Sequence, residues 1–284
     1  MHRRLVKSVV PALECAVLGG GRRSNVPSRT VVRPMAMGMF PNNIRRMDRA
    51  DLELCEPVSV ECSTRACHAR HLPDNTRWIY KTEISAAGVL AEAIGWLICD
   101  DLGIPIPVGA AVREGPPGSS HRPFVWASAH ERIVHWQPEL LHLVGNPSTF
   151  AAITVVDAWL GNPDRHDENL ILRIGPGDSL DLLALDFDAA WVGRPDARGR
   201  AGNAVAAPDR ITPLDPSLWQ PDLAHWVTRA REIPEAVLKE YVGEACALSG
   251  SREEAAVLFW LRGRQDVLDD LARQVSHHYE LMQS

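Results

Sequence analysis

The stretch between Gly161 and Trp191 decides the fold of this chain. It reads G-N-P-D-R-H-D-E-N-L-I-L from Gly161 onward and L-L-A-L-D-F-D-A-A-W up to Trp191, with a G-P-G-D turn between the two runs. Polar, apolar and turn-forming residues in this order predict a loop, a strand, a tight turn and a second strand. Because the second strand returns along the first, its end should lie beside the loop.

Four side chains are predicted to meet at that junction. The loop presents Asp164, His166 and Asn169, and the second strand brings Asp186 to the same place. One carboxylate can orient an attacking hydroxyl group, while an amide and a second carboxylate can hold the metal ion on ATP, which is the layout of a phosphoryl-transfer site. Each of these residues alone would more often cap a turn or a helix, so the prediction depends on their occurring together.

The composition is that of a globular protein. Of the 284 residues, 45% are hydrophobic, which is enough to bury one large core or two lobes with a cleft between them. No window holds the roughly eighteen continuous apolar residues that a membrane span needs. The six cysteines are irregularly spaced in a chain too long to need disulfides, so we expect free thiols and a cytoplasmic protein.

The N-terminal segment differs from the rest of the chain in charge. Residues 1–50 contain ten of the 30 Lys and Arg residues but two of the 36 acidic residues, although the whole chain has a net charge of −6. We expect residues 1–28 to form a basic, poorly ordered leader. Contact with RNA, a lipid surface or an acidic partner is the alternative, and nucleic acid is not otherwise an expected partner. The apolar run near the N-terminus is interrupted by Pro11 and Glu14, which argues against an export signal.

Lysine is rare in this chain, and one lysine stands in a distinctive place. Of the 30 basic residues, only Lys7, Lys81 and Lys239 are lysines. Lys81 ends the run R-W-I-Y-K, whose apolar and aromatic residues predict a strand. A compact ammonium fits against phosphate oxygens where the fork of a guanidinium would not, so we interpret Lys81 as a phosphate-binding residue, with chance usage as the alternative.

A helix predicted directly after this strand supplies a partner for the lysine. Ser85 is a suitable cap, and apolar residues recur at helical spacing from Ala86 to Leu102. Glu92 lies off the apolar stripe and could hold the Lys81 ammonium through an ion pair, as nucleotide-binding kinases require. Glu83 is the competing partner, and a solvated surface position is the alternative for Glu92.

Further elements complete the layout. Strands are predicted at Gly109–Arg113 and Pro123–Ala127, and a buried helix over Pro147–Leu160 leads into the loop described above. Residues 63–75 are interpreted as a polar connection between strands. A zinc site formed by Cys62, Cys67, His68 and His71 is the alternative, although their spacing matches no common zinc motif. A long loop is predicted over 193–216. Helices are then predicted at 217–231, 234–249, 251–262 and 264–281.

This order of elements predicts an α+β fold in two parts. Strands, one helix and more strands should form a small sheet lobe, to which we assign residues 29–130. Residues 131–284 are assigned to a mostly helical lobe that carries the catalytic and metal-binding loops. The leader over 1–28 would precede both lobes.

Five features occur in an order that is typical of one family. They are Lys81, Glu92, the L-G-I-P-I-P phrase at 102–107, D-x-H-x-x-N at 164–169, and Asp186. This order resembles the HipA-like kinases, particularly their short bacterial branch, over about residues 75–190. The resemblance implies a two-lobed protein-kinase-like fold that binds Mg-ATP between its lobes and phosphorylates serine or threonine. A protein substrate is therefore the expected partner, and the resemblance leaves open an antitoxin-like protein partner.

The resemblance assigns the nucleotide-binding roles position by position. Lys81 would touch the α- and β-phosphates of ATP, and Glu92 would orient it. Asn169 and Asp186 would hold Mg²⁺. No G-x-G-x-x-G motif precedes the lysine, so a glycine-rich phosphate loop is not expected, and the HipA-like family does not depend on one. Asp188 is an additional acid near the metal, without an assigned role.

Catalysis is assigned to the loop. Asp164 would be the catalytic aspartate, which orients the hydroxyl group and accepts its proton. His166 matches the catalytic-loop histidine of the family, and we rank structural support ahead of proton transfer for it. The same stretch is similar to the phosphatidylinositol 3-kinases and 4-kinases, in which the histidine of D-R-H takes part in catalysis. A lipid or small-molecule kinase is therefore one alternative, and a non-catalytic kinase-fold binding module is another.

Overall fold

The structure is a computed structural model, and it describes most of the chain after the basic N-terminal segment. The described residues are 44–57, 66–114, 124–129, 133–174, 179–201, 204–206 and 215–283. The predicted leader over 1–28, Cys62 and the G-P-G-D turn lie outside the described residues. The proposed lobe boundaries after residues 28 and 130 stay predictions.

Six strands form a curled sheet. They are β1 (Arg45–Asp48), β2 (Leu52–Pro57), β3 (Ala66–His71), β4 (Thr76–Lys81), β5 (Gly109–Arg113) and β6 (Phe124–Ala129). Their order is β1-β5-β6-β4-β3-β2, and neighbours are antiparallel except for β1 and β5. Because one 3-10 turn over Arg49–Asp51 joins the two edge strands, the sheet must curl to bring its edges together. Apolar side chains from all six strands, including Trp78 and Tyr80, form a core of their own.

Helices make up most of the remaining described residues. They are α1 (Ala86–Leu102), α2 (Ser148–Leu160), α3 (Pro195–Ala201), α4 (Leu223–Arg231), α5 (Glu235–Ser249), α6 (Glu254–Asp266) and α7 (Leu268–Gln283). Helix α2 is central, since 12 of its residues are buried and it packs against α4, α6 and α7. None of the described helices combines the length and the apolar character that crossing a membrane would require.

Helix α1 connects the curled sheet to the helical part of the protein. The hydroxyl of Ser85 caps it by accepting a hydrogen bond from the backbone N–H of Gly88. Gly103 ends it in the left-handed conformation, with φ of 69°. Thirteen of its 17 residues are buried, because α1 packs against β6 on one side and against α5 on another. This two-sided burial fixes the helix that carries Glu92.

A second, three-stranded sheet brings the predicted loop and the D-F-D segment together. It consists of β7 (Ile133–His135), β8 (Leu170–Ile174) and β9 (Leu180–Ala184), in that order and antiparallel. Leu170 at the start of β8 lies opposite Ala184 at the end of β9. The loop before β8 and the chain after β9 therefore meet at one edge of this sheet.

The α+β prediction is confirmed, with a sheet-rich part and a mostly helical part, but three local predictions were wrong. The segment 63–75 is not a polar connection throughout, because Ala66–His71 forms β3, in which Cys67, Ala69 and His71 are buried at alternate positions. The predicted long loop contains α3. The helix predicted to begin at residue 217 begins at Leu223 instead, after two 3-10 turns.

Candidate active site

Three carboxylates surround the ammonium group of Lys81 at the end of β4. The Nζ atom lies 2.5 Å from Glu92 Oε1, 2.7 Å from Asp186 Oδ1 and 3.0 Å from Asp188 Oδ2. Lys81 and Glu92 are 9% and 4% exposed, so this contact is almost fully withdrawn from solvent. Glu83, the alternative partner considered from the sequence, is exposed. The structure thus brings together Lys81, Glu92 and Asp186 from three separate elements.

Burial and charge oppose each other in this cluster. Burial would lower the pKa of Lys81, but the three carboxylates raise it well above its ordinary value. Burial raises the pKa of Glu92 and of Asp188 in spite of the nearby ammonium. For Asp186, the attraction of Lys81 outweighs burial and holds the pKa below its ordinary value. One ammonium is thus shared by three acids, and an additional cation would be favoured at this place.

The same acids form the group among the described residues that could hold a metal ion. Oxygen atoms of Glu92, Asp186 and Asp188 all lie within 4.8 Å of one another. Carboxylate oxygens are hard donors of the kind that Mg²⁺ prefers. Within the part of the chain that the structure describes, no such group forms around Cys67, His68 or His71.

The loop after α2 is held by hydrogen bonds that begin in the helix. Asn162 is fully buried and donates from Nδ2 to Asp157 Oδ1 over 2.9 Å, and its Oδ1 accepts from the backbone N–H of Asp164 over 3.3 Å. Asn169 then donates from Nδ2 to the carbonyl oxygen of Asp164 over 2.8 Å. Both backbone groups of Asp164 are therefore fixed by neighbouring asparagine side chains.

Asn169 and Asp186 are brought close by strand pairing. The backbone N–H of Leu185 donates to the carbonyl oxygen of Asn169 over 3.1 Å, which continues the pairing of β8 with β9 by one residue. Asp186 follows at once and has a φ of 61°, in the left-handed region that non-glycine residues seldom adopt. This conformation turns the chain out of the sheet, and the side chain then meets Lys81. Strained residues of this kind are common at functional sites.

His166 is half-buried at the middle of the loop. Its backbone is extended, and its carbonyl oxygen accepts a hydrogen bond from the backbone N–H of Asn169 over 2.9 Å. This bond closes the 3-10 turn Asp167–Asn169, so the residue contributes to the shape of the loop through its backbone. A catalytic role of its imidazole stays a prediction.

Sequence reasoning missed one residue of this region, Arg165. It is fully buried, and its guanidinium donates to both carboxylate oxygens of Asp157 over 2.8 Å. It also donates to the backbone carbonyls of Asn169 and Leu185 and lies over the ring of Phe187 at 5.1 Å. Asp157 offered a signal, because it is the one charged residue in a helix that is mostly apolar and almost entirely buried. A buried carboxylate needs a charged or hydrogen-bonding partner.

Close backbone packing holds α1 against the segment after Asp186. A Cβ atom at Gly193 would lie 2.1 Å from the carbonyl oxygen of Ala87, and one at Gly95 would lie 2.6 Å from the ring of Phe187. Neither position leaves room for a side chain. The absence of side chains at Gly95 and Gly193 therefore lets α1, which carries Glu92, come close to the segment that follows Asp186. Glu92 and Asp186 line a small cavity together with Trp96 and Trp126.

No family model and no curated protein matches the sequence. The crystal structure of the proinflammatory kinase CtkA from Helicobacter pylori superposes with a TM-score of 0.58 at 12% sequence identity, covering 83% of this chain and 99% of CtkA. The chain has a protein-kinase-like fold.

Within this fold, the curled sheet with α1 corresponds to the small lobe, and α2 to α7 belong to the large lobe. At 12% identity the likeness to CtkA concerns the fold alone. The kinase domain of PknI from Mycobacterium tuberculosis is 17% identical, with 71% of this chain and 96% of that domain covered, but its TM-score of 0.29 is too low to support a conclusion.

Proposed function

We propose that the protein is a kinase that transfers the γ-phosphate of Mg-ATP to a hydroxyl group. One observation carries this proposal. Lys81 of the small lobe and Asp186 of the large lobe, 105 residues apart in sequence, meet at 2.7 Å, and Glu92 lies 2.5 Å from the same ammonium. In protein kinases, the lysine–glutamate ion pair and the metal-binding aspartate must both be in place for phosphoryl transfer.

The small-lobe residues would bind the phosphates of the nucleotide. The Lys81 ammonium would contact the α- and β-phosphates, and Glu92 would hold it in place from α1. This assignment is supported by the burial of both side chains and by their contact at 2.5 Å, which holds the ammonium in one position. Lysine suits the position, because its compact charge can contact a carboxylate and a phosphate at the same time.

The large-lobe residues fit a magnesium ion chemically. The NH₂ group of Asn169 donates to the carbonyl oxygen of Asp164. The other polar atom of the amide, Oδ1, is an oxygen that can coordinate a metal ion. Asn169 and Asp186 would hold the ion, and Asp188 lies near enough to Asp186 to contribute a further oxygen. When bound, magnesium would neutralise charge on the β- and γ-phosphates.

Asp164 is the residue that we assign to the acceptor hydroxyl. Its side chain would orient the hydroxyl group and accept its proton late in the transfer. The asparagine side chains on either side of it in sequence, Asn162 and Asn169, fix its backbone, which would limit movement of the loop that carries the carboxylate. His166 would support the loop, with proton transfer as the alternative.

The acceptor that we propose first is a serine or threonine of a protein, in keeping with the HipA-like order of residues. An inositol lipid is the second candidate, because D-R-H followed by L-D-F is shared with the phosphatidylinositol kinases. Labelled ATP distinguishes the two acceptors. A protein kinase would transfer the label to protein, and a lipid kinase would transfer it to the lipid extract.

The decisive experiment is phosphate transfer from γ-labelled ATP in the presence of Mg²⁺ and host lysate. Wild type should label an acceptor, and Asp164→Ala should not, while keeping its thermal unfolding temperature. Glu168→Ala is the matched control, because Glu168 is an exposed acid in the same loop and should retain activity. Equal labelling by wild type and Asp164→Ala would rule out the proposed role of Asp164. No ATP turnover by wild type with any acceptor would favour the non-catalytic binding module instead.

A further inference from the structure

Arg165 holds the two halves of the large-lobe site against one helix. Its guanidinium bonds to Asp157 in α2, to the carbonyl oxygen of Asn169 over 3.0 Å and to the carbonyl oxygen of Leu185. The first carbonyl belongs to a proposed metal ligand, and the second directly precedes the other ligand, Asp186. One side chain therefore contacts both segments that would bind the metal.

We propose that Arg165 is a positioning residue that sets the separation of the two metal-binding side chains. It does so by fixing the backbone on both sides of the site to the rigid helix α2. The inference rests on the proposed function, and it adds a residue that touches neither nucleotide nor metal. Its contribution is the geometry of Asn169 relative to Asp186.

Only arginine can make this set of contacts. Nε and Nη2 form a bidentate pair with the Asp157 carboxylate, which leaves the donors of Nη1 for the two carbonyl oxygens. A lysine has a single donor atom and could not span a helix and two loop segments. The flat face of the guanidinium also lies over the ring of Phe187. This contact gives Arg165 a further hold on the D-F-D segment.

Burial makes the arrangement rigid. Arg165 and Asn162 are fully buried, and Asp157 is 1% exposed, so any movement would leave a charged or polar group without compensation in an apolar core. The pKa of Arg165 is raised above its ordinary value, because the attraction of Asp157 outweighs burial. Side chains of this kind, which orient metal ligands from outside, commonly affect metal affinity or activity by about 10- to 100-fold.

Another buried arginine provides a matched control. Arg264 in α6 is 1% exposed and also donates to backbone carbonyls, those of Ala158, Trp159 and Ala204, while it lies over the ring of Trp260 at 4.8 Å. It therefore holds the C-terminal end of α2, whereas Arg165 holds the backbone of Asn169 and Leu185. Replacing either arginine by lysine removes hydrogen bonds to backbone carbonyls, and these carbonyls lie at different places in the large lobe.

The test compares Arg165→Lys with Arg264→Lys. We expect both variants to unfold at a lower temperature than wild type. Only Arg165→Lys should raise the Mg²⁺ concentration for half-maximal ATP turnover, by about 10-fold or more, as expected for a lost outer support of metal ligands. If Arg165→Lys does not fold, Arg165→Met combined with Asp157→Asn leaves no unpaired buried charge and should show the same Mg²⁺ dependence. An equal Mg²⁺ requirement in the Arg165 variants and Arg264→Lys would overturn the proposal.

A second measurement does not depend on turnover. Backbone amide hydrogen exchange should become faster at residues 164–169 and 185–187 in Arg165→Lys, and should stay at the wild-type rate there in Arg264→Lys. Unchanged exchange in Arg165→Lys would also overturn the positioning role. If wild type fails to use ATP, the proposed function is lost, but the exchange comparison still decides whether Arg165 fixes these two segments.

Discussion

Close packing holds the small-lobe side of the site, whereas a buried polar network holds the large-lobe side. Glu92 depends on α1, which approaches Phe187 and Gly193 at positions where only glycine fits. On the other side, Asp164 and Asn169 depend on hydrogen bonds that lead back to Asp157 in α2. The first arrangement should be sensitive to added volume, and the second to the loss of a single donor or acceptor.

This difference also determines which disturbances each side can absorb. A packed contact can relax by small movements of neighbouring side chains if the clash is with a side chain, but not if it is with backbone. A buried hydrogen-bond network has no such intermediate states, because a lost partner leaves a polar atom without compensation. On the large-lobe side, the loss of one hydrogen-bonding residue should therefore be enough to disturb the site. On the small-lobe side, the disturbance should grow with the volume of the side chain that is introduced.

The largest expected effect follows from removing the charge where the two sides meet. Asp186→Asn should lower the rate of phosphate transfer by about a thousandfold, since the amide can neither hold Mg²⁺ as a carboxylate does nor pair with Lys81. Asparagine is preferred to alanine for this test because it tolerates the left-handed conformation of Asp186. ATP turnover and thermal unfolding of the same preparation check this prediction.

Asp181→Ala serves as the control for that variant. Asp181 lies on the same strand, β9, and its carboxylate is half-exposed, 3.7 Å from Arg173. Surface pairs of this kind contribute about 0–1 kcal/mol, so activity should be retained. A fully active Asp186→Asn would show that the charged cluster is not the catalytic site.

The second effect tests the shape of the small-lobe cation. Lys81→Arg should lower the rate by about 100-fold while the protein stays folded, because the guanidinium fork cannot occupy the space of an ammonium between three carboxylates. Steady-state kinetics with varied ATP will check it, with Lys239→Arg on α5 as the control in a chain that has only three lysines. Wild-type kinetics in Lys81→Arg would mean that charge alone matters at this position.

Sequence patterns predicted the two sides of the site to different extents. Helix α1 could be predicted to the residue, because Ser85 and Gly103 mark its ends and the apolar spacing lies between them. The sequence offered two partners for Lys81, Glu92 and Glu83. In the structure Glu92 is buried beside the lysine, and Glu83 is exposed. The spacing of apolar residues could not decide between the two glutamates. It shows which face of a helix is apolar, but not which polar side chain is buried.

Other features could not be predicted from local patterns. Strand β3 was missed because its alternation of buried Cys67 and His71 with polar neighbours uses residues that are not typical of strands. The role of Arg165 depends on contacts with Asn169 and Leu185 that only the folded chain creates. The curl of the small-lobe sheet likewise depends on the pairing of β1 with β5, which are far apart in sequence.

The third effect tests the packing of α1. Gly193→Ala should lower the free energy of unfolding by about 2–3 kcal/mol, because the new methyl group would collide with the backbone carbonyl of Ala87, which cannot rotate away. Gly199→Ala in α3 is the control, since a Cβ atom there meets nothing within 4 Å. It should be neutral or slightly stabilising, by up to about 1 kcal/mol. Chemical denaturation measures both, and equal stability of the two variants would contradict the packing interpretation.

The smallest effect concerns a polar network at the outer end of the curled sheet. Hydrogen bonds from Thr76, His71 and Arg45 hold the pKa of the Asp74 carboxyl below its usual range. Since the folded-state pKa lies below the unfolded value, the stabilisation is fully present above the ordinary pKa of aspartate and is lost as the pH falls below it. Asp74→Asn should therefore unfold at a slightly lower temperature than wild type at pH 7, with the difference shrinking in acid.

The same variant shows whether the outer network and the site are independent. The network ties β1 to the turn between β3 and β4 and so supports the curl of the sheet, whereas Lys81 lies at the opposite end of β4. Phosphate transfer at neutral pH should be unchanged in Asp74→Asn. A loss of activity without a loss of stability would mean that the curl of the sheet, and not only the packing of α1, determines where Lys81 lies.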